Sequence, residues 1–332
     1  MEEAWKAGKT KLIGAGIEPH ITDRLFEQKK YFDPDKEWQI LERLKIKLTT
    51  IKSPNYPHSL LNIPSPPALL YYRGRLPQEN EFLLGVVGSR RHSEYGKRCV
   101  NKIIKEISAK GIRVVSGLAL GIDALAHRAC LDSNTPTFAI LASGVDQFSP
   151  STNSFLGREI CQKGGVLSEY PPKTGAQKQN FHARNRIISG LSCGLVVIEA
   201  GLKSGTFLTV NHALEQGRDI FAIPGEIFSP FSQGSNQLIK DGARLVSSAT
   251  EILESLSMFT PSFKGKIIPK TIFVPQNSLQ RIIIQHLTPV PVPIDKLVRL
   301  TKLKVNVLLS QLTEMELLGV VSQSLDQFYL NQ

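Results

Sequence analysis

Apolar and polar positions follow three different regimes along the chain. Between residues 81 and 256, short runs that are apolar at nearly every position (FLLGVVG, IRVVSGL, PTFAILA, VLSEY, CGLVVIEA, DIFAIPG and RLVSS) are separated by amphipathic stretches. Those stretches include YGKRCVNKIIKEISAKG, GIDALAHRACLD, SFLGREICQKGG and TFLTVNHALEQGR. A strand without in–out alternation is buried on both faces, so the runs predict a mostly parallel sheet with helices on each side. The alternation of strand and helix predicts an α/β, Rossmann-like, doubly wound domain over 81–256.

The flanks read differently. Residues 1–80 predict a small helical region and a connector: KTKLIGAGI as a helix-turn fragment, DKEWQILERLKI with helical periodicity, then a proline-rich passage that ends in a short strand, ALLYYRG. Residues 257–276 are rich in Pro, Ser and Lys without periodicity and read as a linker. From 277 to 332, SLQRIIIQHL, PIDKLVRLTK and KVNVLLSQLTEMELLGV predict three helices, and VVSQSLDQFYL a hairpin, together a winged-helix-like domain. Its third helix carries few basic residues and its Leu and Val spacing reads as core, which points to a protein-contact or regulatory role.

Composition narrows the function classes. The 332 residues are 41% hydrophobic, enough for a sizeable core. A net charge of +11 suits a polyanionic partner. The charge is spread over all three regions without a basic tail, so an anion site has to be built by folding. Cys99, Cys130, Cys161 and Cys193 form no C-x-x-C and read as buried thiols of a reducing cytosol. The N-terminus has no secretory h-region and no apolar run reaches membrane-span length. The seven histidines are scattered without metal-ligand spacing, so no metal is expected.

In an open parallel sheet the ligand lies beyond the carboxyl ends of the strands. The residues that follow the predicted strands are Ser89-Arg90-Arg91, Ser116-Gly117, Glu169-Tyr170, Glu199-Ala200-Gly201 and Pro224-Gly225-Glu226. Gly, Ser and Arg at helix starts suit phosphate. The dinucleotide spacing G-x-G-x-x-G and the P-loop pattern are both absent, so a P-loop NTPase is not expected. Glycines at Ser116-Gly117 serve close helix–strand packing equally well. In FHARNRIISGLS, Arg184 and Arg186 flank Asn185 near Phe181: guanidinium forks suit phosphate and an aromatic face suits a base. The alternative is a core Phe181 with solvated arginines. Asp123, near a helix start, is placed to accept backbone N–H bonds.

The ordered set GVVGSRRHSEYG, VVSGLALGIDALAH, GGVLSEYPP, FHARNRIISGLSCGLVVIEAGLKSGTFLTVNHALEQGRDIFAIPG and GSNQLIKDGA resembles the bacterial DNA-processing protein A family (DprA, also called Smf). The resemblance runs over about residues 40–256. It implies a cytoplasmic, dimeric, non-enzymatic protein of natural transformation and competence. Such proteins bind single-stranded DNA, protect incoming strands and load the RecA-class recombinase for DNA recombination, with no cofactor. Carried over from the family's motifs, the DNA-binding candidates are Gly88, Ser89, Arg90, Ser116, Gly117, Arg184, Asn185 and Arg186, with Phe181 added as a stacking face. Arg91, Lys173 and Lys178 are added from charge, and Ser204, Gly205 and Thr206 as a further phosphate turn.

The chain departs from the family's pattern at several points. Leu120 stands where a basic residue is common, His182 replaces a Pro, and Ser149-Pro150 replaces a Tyr-Pro pair. The N-terminal SAM or helix-hairpin-helix-like region reads as short, as if one hairpin were incomplete. The competing class is a nucleotide-processing phosphoribohydrolase of the same broad superfamily. Its P-G-G-x-G-T loop corresponds here to E-A-G-L-K-S-G-T, which lacks the glycine pair.

Overall fold

The computed structural model describes residues 2–259, 275, 277–287, 292–317, 321–324 and 327–330. The chain divides into two compact units, 1–263 and 264–332.

The larger unit is organised on nine strands: β1 (Lys47–Thr50), β2 (Leu69–Gly74), β3 (Leu83–Val87), β4 (Arg113–Ser116), β5 (Thr137–Ile140), β6 (Gly165–Ser168), β7 (Gly194–Val197), β8 (Asp219–Ala222) and β9 (Arg244–Leu245). Their order in the sheet is β1-β2-β6-β5-β4-β3-β7-β8-β9. From β6 to β9 every neighbouring pair is parallel. The proline-rich connector adds β1 and β2 as antiparallel neighbours at the β6 edge, so the sheet begins well before residue 81. This is the Rossmann-like, doubly wound sheet that the apolar runs predict. In β5, Phe138 and Ile140 face one core, with Ile187, Ile188 and Val210, while Ala139, and Leu141 just after the strand, face the other, with Leu131, Leu156 and Ile160. Two buried faces explain why the runs show no alternation.

The chain first winds outward through β3, β4, β5 and β6, then returns to place β7 on the other side of β3. The switch point therefore lies between β3 and β7, where crevices form in such sheets. The helix expected after β3 runs Glu94–Cys99, passes through a π turn at Val100–Ile104 and continues as Lys105–Ala109. The helices Lys178–Leu191, Gln233–Lys240 and Ala249–Phe259 go beyond those the sequence predicts. The first two begin with polar residues that read as loop, and their apolar faces become visible only against the sheet. The N-terminal residues form the helices Glu2–Lys6, Lys9–Gly14, Pro19–Lys29 and Pro34–Arg43. The last is capped by Asp33, whose carboxylate accepts from the N–H of Asp35 (3.1 Å) and Lys36 (3.3 Å).

The smaller unit has the helices Ser278–His286, Ile294–Thr301 and Val305–Leu317, and the strands β10 (Val292–Pro293), β11 (Val321–Ser324) and β12 (Gln327–Leu330) in the order β10-β12-β11. Ile283, Leu297, Leu308, Leu312, Met315, Val321 and Phe328 are its core, and the arrangement is a winged helix. Of the stretch read as a linker, 257–259 close the helix Ala249–Phe259. Apart from 275, the rest lies outside the described residues. None of the described helices is long and apolar enough to cross a membrane.

Candidate nucleic-acid interface

A cleft of about 840 Å³ opens at the carboxyl ends of β3 and β7. Its rim carries Arg90, Arg91 and Lys178, all exposed. Among the described residues, no carboxylate lies within ion-pairing distance of these three cations. Phe181 stands in the wall, with the Arg90 guanidinium 5.0 Å from its ring centre and that of Arg184 at 5.7 Å. Two helices start at the cleft, at Lys178 and at Thr206, and their N-terminal partial positive charges add to the field.

The Gly88-Ser89-Arg90 turn is fixed by the backbone. The Ser89 N–H donates to Glu199 O (2.7 Å), and Ser89 O accepts from the Ile122 N–H (3.1 Å). The Ser89 hydroxyl accepts from the Arg91 N–H (3.1 Å). Gly121, at φ +79°, makes this approach possible: a Cβ there would stand 2.2 Å from Ser89 O. On the opposite wall, Ser204 Oγ accepts from the Thr206 N–H (3.2 Å) and donates to Thr206 Oγ1 (2.8 Å), shaping the Ser204-Gly205-Thr206 turn at a helix start.

Beneath the rim lies a second layer. Arg184 is only 4% exposed. Its Nη1 donates to Gly117 O (2.8 Å) and to Ile140 O, tying together the carboxyl ends of β4 and β5. Burial lowers its pKa to about 10, with Asp123 acting against that shift, so it stays charged at neutral pH. Asp123 is buried and accepts from the N–H of Gly117 (3.2 Å) and Ala119 (3.4 Å). Burial raises its pKa, and Arg184 and these N–H bonds pull the other way. Behind them the Thr137 hydroxyl gives its one hydrogen to Val114 O (2.9 Å), so at 2.8 Å from His127 Nδ1 it must accept. His127 is therefore the Nδ1–H tautomer. Full burial, together with the Arg184 charge, lowers its pKa to about 3 and keeps it neutral.

The structure brings Gly88, Ser89, Arg90, Arg91, Lys178, Phe181, Asn185, Ser204, Gly205 and Thr206 around one cleft. Other candidates take positions different from those expected. Arg184 belongs to the floor, its Nη1 bound to two backbone carbonyls while its buried Nε has no partner among the described residues. Ser116 is fully buried and donates to Val86 O (2.6 Å), and the Gly117 peptide is occupied by Arg184 and Asp123. A Cβ on Gly117 would meet the Arg184 guanidinium at 2.3 Å, so this glycine serves close packing. Arg186 is engaged by both Glu169 oxygens at 2.8 and 2.9 Å. Lys173 is exposed outside the cleft lining, in a turn where its N–H donates to Asp146. The sequence reading missed Pro230 and Phe231, which line the far wall. The signal was an aromatic, proline-broken stretch, GEIFSPF, directly after a strand end.

Comparison with known proteins gives concordant matches. The family model described as DNA recombination-mediator protein A matches residues 47–257, and the DprA winged helix domain matches 274–326. Protein Smf of Synechocystis is 33% identical, over 97% of this chain and 90% of its own length. DNA processing protein DprA of Bacillus subtilis is 42% identical over 62% of this chain and 70% of its own length. The solved structure of DprA from Streptococcus pneumoniae superposes with a TM-score of 0.66 at 39% identity, covering 71% of this chain and 82% of that one. DNA processing protein A from Helicobacter pylori, a structure described for its single-stranded DNA binding mode, gives 0.57 at 27% identity, over 64% of this chain and 97% of that one.

Proposed function

The chain belongs to the DNA recombination-mediator protein A family, and from that premise we propose that it binds single-stranded DNA in the cleft between the ends of β3 and β7. The observation that carries the proposal is the convergence of Arg90, Arg91 and Lys178, free of carboxylate partners among the described residues, around the ring of Phe181 and two helix starts. Cations without a carboxylate partner among the described residues suit the backbone phosphates of a strand. A partly exposed ring suits unpaired bases, and neither depends on sequence. The H. pylori relative's single-strand binding mode supports the same reading.

In this reading Gly88, Ser89, Arg90, Arg91, Lys178, Phe181 and the Ser204–Thr206 turn contact DNA, while Ser116, Gly117, Arg184 and Arg186 hold the contact surface in place. The role extends, by family membership, to natural transformation: the protein protects incoming strands as a homodimer in the cytoplasm and delivers them to a RecA-class recombinase. It acts as a binding protein. Glu199, the acid nearest the position of a hydrolase loop, is fully buried and accepts from the Ser93 N–H (2.9 Å) and hydroxyl instead of lining the cleft.

Titration against oligo(dT), duplex DNA and nucleoside monophosphates tests the proposal. Log affinity for the single strand should fall linearly with log salt, by about 0.7 per neutralised phosphate, with a slope of several units. Duplex should bind more weakly. A flat salt dependence with tight mononucleotide binding overturns the reading. Loading is tested separately, by recombinase filament formation on single strands with and without the protein.

A further inference from the structure

The turn that follows β8, residues 224–232, holds two large apolar side chains out in solvent. Ile227 is 72% exposed and Phe228 82%. Removing either side chain from water would be favourable, so their exposure needs a reason. The turn is not slack. The Tyr95 hydroxyl donates to Pro224 O (2.6 Å), and the Asn236 side chain grips the Gly225 backbone from both sides, accepting from its N–H at 3.1 Å and donating to its carbonyl at 3.0 Å. Further on, the Ser229 N–H closes onto Glu226 O (3.1 Å) and the Ser232 N–H onto Ser229 O (3.0 Å). The Gly234 N–H then docks on Ala200 O (2.7 Å), at the end of β7. Anchored at both ends, the tip is held away from the core.

The same turn is continuous with the cleft. Pro230 and Phe231 line the cleft wall, and Phe228 is two residues from Pro230. A Cβ on Gly201 would lie 3.3 Å from Pro230 O, so the turn packs directly on the loop after β7. A strand with its phosphates on Arg90 and Lys178 and a base on Phe181 would meet this turn if it ran on past the Pro230–Phe231 wall. We propose that Phe228, flanked by Ile227, is a second base-stacking platform for that same strand; the inference rests on the single-strand reading of the cleft. An exposed phenyl ring on an anchored turn next to a cationic cleft wall is what sequence-tolerant stacking needs. Glu226, the one carboxylate of the turn, keeps phosphates off the tip and leaves the ring to a base.

The test compares the parent with Phe228→Ala on oligo(dT) and on an abasic oligonucleotide of equal length. Loss of one stacked base should weaken oligo(dT) binding about tenfold. Binding to the abasic strand, the salt slope and the melting temperature should stay as in the parent. Phe228→Trp should retain affinity, and its added fluorescence should be quenched by oligo(dT) but not by the abasic strand. If Phe228→Ala binds oligo(dT) like the parent while Arg90→Ala does not, the platform is refuted and the cleft reading stands. If Phe228→Ala instead loses self-association or recombinase binding at unchanged DNA affinity, the patch is a protein surface and the proposal is overturned. If the parent binds neither strand, the cleft reading falls, and the platform with it.

Discussion

Arg75 and Arg90 lie at opposite ends of the parallel sheet and are treated in opposite ways. At the amino ends, a cavity of about 570 Å³ is lined by Arg75, Arg218, Glu79 and Glu81 among others. There Arg75 makes a two-pronged pair with Glu81, both contacts 2.6 Å, and lies 4.9 Å from the Phe138 ring centre. The Nε of Arg113 reaches the same carboxylate at 3.3 Å. Burial alone would raise the Glu81 pKa, but these bonds hold it below the ordinary value. At the carboxyl ends Arg90 also sits by a ring, that of Phe181, yet has no carboxylate partner among the described residues. Both ends join a guanidinium to an aromatic ring. Arg75 is neutralised by its carboxylate while Arg90 keeps its charge for a polyanion, so for these two arginines the missing acid is more telling than the ring.

The largest expected effect comes from confusing the two layers of the cleft. Arg184→Ala removes the donor that satisfies two buried carbonyls and leaves a hole under Phe181. It should cost about 3 kcal/mol or more of stability in denaturant unfolding. A variant that melts like the parent but loses DNA affinity would move Arg184 to the contact layer. Arg90→Ala should do the reverse. It should weaken oligo(dT) binding by about 1.5–3 kcal/mol, the worth of a hydrogen bond to a charged group, and lower the salt slope by about 0.7. Its melting temperature should stay close to the parent's, and Arg90→Lys should recover only part of the loss, since Lys lacks the planar fork.

His127 sharpens the contrast through pH. Its native pKa, about 3, lies below the ordinary 6.5. Between those values the unfolded chain takes up a proton that the native state refuses. Stability contributed by this group is therefore complete above about pH 6.5 and falls by about 1.4 kcal/mol per unit as pH drops toward 3. Thermal melts over that window should show the slope, and His127→Gln should flatten it. The smallest effect belongs to the satisfied end. Arg75→Ala should cost about 1 kcal/mol of stability, because the pair is partly solvated, and leave DNA affinity and salt slope unchanged. A fall in affinity would mean that the amino-end cavity also meets the strand.

The apolar runs alone determined the doubly wound sheet, because a strand buried on both faces has to be apolar at successive positions, as Phe138 to Leu141 are. They also determined where a site must form, since polar residues gather only where strands end. The Gly88-Ser89-Arg90 turn was placed at the cleft in this way, whereas Phe181 stood out only through the FHARNR segment, which forms a helix. Which arginine faces outward was not legible. Arg90, Arg184 and Arg186 are equivalent as letters, and three different things set their fates: an open rim, two backbone carbonyls and the Glu169 carboxylate. The far wall was also hidden, because Pro230 and Phe231 reach the cleft only when the β8 turn packs on the loop after β7. Burial follows from local pattern, because each face of a strand or helix has a period. The pairing of a charge depends on which distant segment the fold lays beside it, and no local period carries that information.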